Sequence, residues 1–156
     1  MKILKSVSGI RKALAEEIKA GKTIGFIPTM GALHMGHMSL IQKSVKENDI
    51  TVTSVFVNPT QFNQKEDLDK YPRNLKADAK LLKQFGCDYI FAPGVAQIYP
   101  KKIDTTVKLD IDHLTQSMEG PNRPGHFVGV VQVVKRLLDI LEPNKLYMGQ
   151  KDFQQF

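Results

Sequence analysis

Apolar residues along the chain fall into two rhythms. Ile10, Leu14 and Ile18 recur every four residues between Ser8 and Gly21, which predicts a helix capped by the serine and closed by the glycine. T-I-G-F-I, Thr23 to Ile27, is continuous instead, and predicts a short buried strand ended by Pro28. A second helix is expected from about Gly36 through S-L-I-Q-K-S-V-K-E, with Leu40, Ile41 and Val45 as its apolar face and Asn48-Asp49 as its end. The β-branched run I-T-V-T-S-V-F-V follows as a second strand. N-P-T-Q-F-N-Q-K-E-D-L-D-K-Y-P then reads as a polar loop of a length that tends to carry function.

Helix periodicity returns over roughly Asn74 to Phe85, with Leu75, Ala79 and Leu82 inward and Gly86 as the stop. C-D-Y-I-F-A is the next strand. After a less regular region, F-V-G-V-V-Q-V-V-K-R-L-L-D-I-L predicts an almost wholly apolar helix, and Pro143-Asn144 turns the chain into a last short strand, K-L-Y-M. Strands alternating with helices imply an α/β fold: a Rossmann-like, doubly wound parallel sheet with helices on both faces. Such sheets bind ligands beyond the carboxyl ends of their strands. Three polar segments occupy those ends: Pro28 to His37, Asn58 to Gln61 and Gly149 to Gln155.

Composition narrows the class. The 156 residues suit one domain, and 42% hydrophobic with 24% charged residues points to an ordinary packed core. Lysines are scattered, so the net charge of +6 favours a small anion or solubility over a nucleic-acid tail. Cys87 is the only cysteine and opens an apolar run, which predicts a buried structural thiol and a reducing, cytoplasmic setting. M-K-I-L-K-S-V-S-G-I lacks the apolar core of a signal peptide, and no stretch has the apolar length of a membrane span. Neither a nucleic acid nor a membrane is an expected partner.

The densest chemistry lies in P-T-M-G-A-L-H-M-G-H, Pro28 to His37. Gly31 and Gly36 let backbone approach a ligand closely, and a helix starting near His34 offers backbone N–H groups to phosphate. His34 and His37 are three apart, so both imidazoles can sit on one side of a first helical turn and face a polyphosphate. The same pair can bind a metal, but no third ligand is evident nearby; alternatively both rings face solvent. Asp110 and Asp112 alternate along an expected strand and read as surface residues.

P-T-M-G-A-L-H-M-G-H resembles the signature of the pantoate–β-alanine ligase (pantothenate synthetase) family, within the HIGH-type nucleotidyltransferase superfamily. F-V-N-P-T-Q-F, D-L-D-K-Y-P-R, E-G-P-N-R-P-G-H-F-x-G-V and G-Q-K-D-F-Q-Q are also similar to that family, in its order and spacing. Two positions depart from its usual pattern: Met35 stands where a small or acidic residue is common, and Gln150 where Glu is usual.

The resemblance implies an ATP-dependent condensation. Pantoate attacks the α-phosphorus to give pantoyl adenylate and pyrophosphate; the amine of β-alanine then displaces AMP. It implies an ATP-binding turn at Met30, Gly31, Ala32, Leu33, His34, Met35, Gly36 and His37, with His37 as proton donor and His34 sharing the phosphate contact. Gly149, Gln150, Lys151 and Asp152 match the second ATP-binding segment, where Lys151 supplies a cation. Gln61 and Gln155 match residues that hold pantoate, and Gln61 also meets β-alanine. Mg²⁺ is expected to arrive with ATP, with no protein ligand assigned. Tyr71 and Phe62 can wall the pocket, and Met30 can contact adenine or pantoate. Arg123 and His126 belong to a family-like loop without an assigned role.

The family forms homodimers and continues beyond G-x-K-D-x-Q-Q into a C-terminal domain with a K-M-S-K-S-like segment. The expectation is therefore an N-terminal domain, residues 1–156, that folds but turns over poorly by itself. A nucleotidylyltransferase of the same superfamily is the alternative activity, and a basic RNA-binding module the alternative of another class.

Overall fold

The computed structural model describes residues 1–107, 115, 116, 118 and 120–150. Among them five parallel strands form one sheet: β1 (Lys2–Leu4), β2 (Ile24–Thr29), β3 (Ile50–Val55), β4 (Tyr89–Phe91) and β5 (Lys145–Leu146), in the order β1-β4-β3-β2-β5. The helices are α1 (Val7–Lys19), α2 (Met35–Glu47), α3 (Lys65–Lys70), α4 (Leu75–Gln84), α5 (Val95–Ile98) and α6 (His126–Leu141), with a 3₁₀ turn at Pro59–Gln61. None of the described helices is long and apolar enough to cross a membrane.

Strand alternation builds two cores. Phe26, Val52, Tyr89 and Phe91 point to one face and pack with Ile10 and Leu14 of α1, Ile98 of α5 and Val133, Leu137 and Ile140 of α6. Ile27 and Ile90 point to the other face, against Met38 and Ile41 of α2 and Ala79 and Leu82 of α4. Each fully buried side chain of this size contributes about 1.5–3 kcal/mol relative to exposure. Covering both faces is what allows near-continuous apolar strands, and the doubly wound α/β expectation holds. Cys87 is buried as expected; its thiol meets Thr51 O, Thr53 Oγ1 and Tyr89 O, and burial pushes its pKa up to about 11.

Several local expectations change. β2 runs through Pro28 to Thr29. Ile24 and Phe26 direct their backbone groups toward the β5 side, where Asn144 N and Tyr147 N donate to them. Pro28, two residues on, faces the same side beyond the two-residue β5, so its missing donor is not needed there. α1 is capped by Ser6, whose hydroxyl accepts from Gly9 N at 3.1 Å, and not by Ser8. Ile18 is exposed, because eight residues on from Ile10 a helix has turned about 80° off its face. Val45 is 41% exposed, and Ser44 takes the inward position by bonding Thr51 Oγ1 at 2.9 Å. The short β1 and α5 carry no periodicity of their own and were not expected from the pattern. Asp110 and Asp112 lie outside the described residues.

Candidate functional site

From β2 to β4 successive strands step in one direction across the sheet, and β5 then returns to the opposite side of β2. That reversal opens a crevice at the carboxyl ends of β2 and β5. A cavity of about 460 Å³ occupies it. Thr29, Met30, His34 and His37 line one side, Asn58, Gln61 and His126 another, and Gly149 the edge near β5. Val130, Val133, Val134 and Leu137 of α6 form an apolar wall, and Phe62 and Tyr71 close it with edge-on rings 5.7 Å apart.

The turn after β2 is set by its own side chains. Thr29 Oγ1 donates to Ser54 O at 2.6 Å and accepts from Gly31 N at 3.2 Å. Gly31 (φ 87) and Ala32 (φ 52) are both left-handed, a conformation glycine adopts freely and alanine at a cost. His34 then caps α2: its Nδ1 accepts from Gly36 N at 3.1 Å, while His37 Nδ1 accepts from His34 N at 3.3 Å. This reciprocal pair does the work of a capping box, with imidazoles in place of the usual hydroxyl and carboxylate. The backbone donors of His34 and Gly36, expected to serve phosphate, are thus taken by the rings. With both Nδ1 atoms accepting, each neutral ring carries its proton on Nε2. The ring centroids are 4.2 Å apart, so the two imidazoles do sit together.

The corner after β3 is buried and closed from several directions. Asn58 Nδ2 donates to Gln61 Oε1 at 3.2 Å and to Gly129 O at 3.1 Å, and Asn58 Oδ1 accepts from Tyr99 Oη at 2.8 Å. With its oxygen held by Asn58, Gln61 turns its amide nitrogen the other way, where it donates to Met30 Sδ at 3.0 Å. The orientation of this 8% exposed amide is therefore fixed. His126, 3% exposed at the start of α6, donates from Nδ1 to Gln61 O at 2.9 Å. Close packing of α6 on the corner depends on Gly129, where a Cβ would meet Thr60 O at 2.4 Å.

Of the residues singled out in the sequence, Met30, Gly31, Ala32, His34, His37, Gln61 and Gly149 line this one cavity, joined by Phe62, Tyr71, Arg123 and His126. Leu33 packs on the second core instead, Met35 is 65% exposed, Gly36 lies at the cap and Gln150 is exposed. Lys151, Asp152 and Gln155 lie outside the described residues. The pattern did not single out Asn58 individually, the valines of α6 as a wall, or Asp78. Asp78 had a signal: Leu75, Asp78, Ala79 and Leu82 share helical spacing, which puts a carboxylate on an inward face.

Fold and crevice together define a Rossmann-like α/β domain with its ligand cavity at the strand reversal. The profile of the family described as pantoate-beta-alanine ligase matches residues 2–156, and the chain belongs to that family. It is 49% identical over 155 residues to the pantothenate synthetase of Rhizobium meliloti strain 1021, covering 99% of this chain and 53% of that protein. Against the Brucella anthropi pantothenate synthetase the identity is 51% over 155 residues, with coverage of 99% and 53%. A crystal structure of pantothenate synthetase from Thermus thermophilus matches with a TM-score of 0.90 at 45% identity, over 99% of this chain and 54% of that one. The Francisella tularensis ligase, complexed with beta-gamma ATP and beta-alanine, matches with a TM-score of 0.89 at 43% identity, over 99% and 59%. The chain spans about half the length of the curated relatives it matches.

Proposed function

We propose that this chain carries the adenylate-forming site of a pantoate–β-alanine ligase, which condenses pantoate with β-alanine to pantothenate at the expense of ATP. The observation that carries the reading is one cavity shared by two imidazoles at a helix start and a glutamine amide frozen with its nitrogen turned toward the histidine side. A carboxylate oxygen of pantoate attacks the α-phosphorus and pyrophosphate leaves. The amine of β-alanine then attacks the acyl carbon, its proton departs, and AMP leaves. His34 and His37 donate from Nε2 to phosphate oxygens as charge builds on them, with His37 the proton donor. Gln61 Nε2 exchanges its weak sulfur acceptor for a substrate carboxylate, that of pantoate and then of β-alanine. The α6 wall receives the branched hydrocarbon of pantoate and keeps water from the adenylate.

Family register extends the proposal to Lys151 and Asp152 on ATP and Gln155 on pantoate. Magnesium enters as part of the substrate MgATP, held by phosphate oxygens and water. A homodimer and a cytoplasmic location complete it; the first rests on family resemblance, the second on the lone buried thiol, which suits a reducing compartment. Product analysis tests the activity. Free AMP and an amide in equal amounts are expected from ATP, pantoate and β-alanine. A nucleotide retained on the final product would mark a nucleotidylyltransferase instead.

A further inference from the structure

Asp78 lies in the first turn of α4 and is 5% exposed, a carboxylate on the same inward side as Ala79 and Leu82. Its carboxylate reaches the turn after β2. Oδ1 accepts from Leu33 N at 2.9 Å and Oδ2 from Ala32 N at 3.3 Å. The same oxygen would stand 2.9 Å from a Cβ placed on Gly31, so the backbone there lies directly on the carboxylate. Of the two left-handed positions it bonds Ala32 and lies against Gly31, and Ala32 has no glycine freedom to stay there unaided. On either side of the grip stand Met30, which receives the Gln61 amide, and His34, which caps α2. Two N–H groups of a glycine-containing turn are thereby committed to a buried anion and withheld from any phosphate in the cavity.

We propose that Asp78 is a positioning residue of this site: its carboxylate holds the Gly31–Ala32 pair left-handed and so sets Met30 against Gln61 and His34 at the helix cap. The catalytic half of the inference rests on the adenylation reading given above. Buried charge on backbone donors is a strong and directional tether, and its isosteric loss leaves an N–H facing an amide NH₂.

The test combines amide exchange with chemistry on the 156-residue chain. In the unsubstituted protein the Ala32 and Leu33 amides exchange slowly; rapid exchange of both would overturn the proposal without any variant. In Asp78→Asn they exchange about tenfold faster or more, while Val52 and Ile90 in the sheet keep their protection. Pantoate-dependent release of pyrophosphate in a single turnover falls about tenfold or more, the equivalent of one lost charge-assisted hydrogen bond, with little change in the pantoate concentration needed. Adding Ala32→Gly to Asp78→Asn restores part of the rate, because glycine holds the left-handed conformation without help. A rate unchanged in Asp78→Asn would overturn the proposal, as would a loss that Ala32→Gly leaves untouched and that tracks lost protection of the sheet. If the unsubstituted chain shows no pantoate-dependent release, the adenylation reading is what fails. The exchange of Ala32 and Leu33 in the two proteins still decides whether Asp78 sets the turn.

Discussion

The ends of β2 and β3 lie side by side in one parallel sheet, yet they are held by opposite means. At the β2 end His34 is exposed and His37 half-buried, and each accepts a backbone N–H at Nδ1. At the β3 end His126 is buried and donates from Nδ1 to a backbone carbonyl. Protons on the first pair therefore sit at Nε2, and on His126 at Nδ1. One end places two imidazoles on a helix start that borders the cavity. The other locks an amide inside a network that includes Tyr99, Asn58 and Gly129. On the proposed reading, the difference separates chemistry from recognition: the imidazoles at the β2 end meet the phosphates, and the fixed amide at the β3 end selects the acid.

Substitutions sharpen the contrast. The largest effect is expected for His37→Ala, which removes a donor aimed at developing charge and should slow single-turnover adenylation by roughly 10²- to 10³-fold. Pantoate affinity should change far less, and near-normal adenylation would remove His37 from that role. Gln61→Ala should act the other way. It raises the pantoate concentration needed for half-saturation by about 10- to 100-fold, the value of one or two lost hydrogen bonds to a charged group, and spares ATP binding. An effect confined to ATP would place the β3 corner wrongly. Gly129→Ala tests whether that corner is as rigid as its packing suggests. A Cβ pressed onto Thr60 O should cost about 1–3 kcal/mol in denaturant unfolding, and a neutral result would show that the corner yields. The smallest change belongs to the exposed cap: His34→Ala should cost about 1 kcal/mol, and His34→Asn should recover most of it. Equal stability of all three proteins would mean that the imidazole is not the cap.

The same division explains what could be read from the chain in advance. β2, β3, α4 and α6 are long or strongly apolar, and their patterns specify them. β1 and β5 have three and two residues and exist only because a neighbouring strand pairs with them. Pro28 reads locally as a strand end, and only the short reach of β5 makes it tolerable inside β2. His34, His37 and Gln61 were legible because they stand in dense local motifs. For Asp78 the helical spacing signals only an inward carboxylate; its partners are invisible in the pattern, being 45 and 46 residues away in sequence. The Asn58–Tyr99 bond spans 41 residues and was equally invisible. Local pattern reveals residues that gather at the cavity, whereas the residues that hold them in place are joined by the fold.

If this cavity activates pantoate on ATP, isotope exchange between pyrophosphate and ATP depends on pantoate. With the chain at high concentration and β-alanine left out, exchange should be slow but should appear only when pantoate is present. Exchange at the same rate with and without pantoate would contradict that activation.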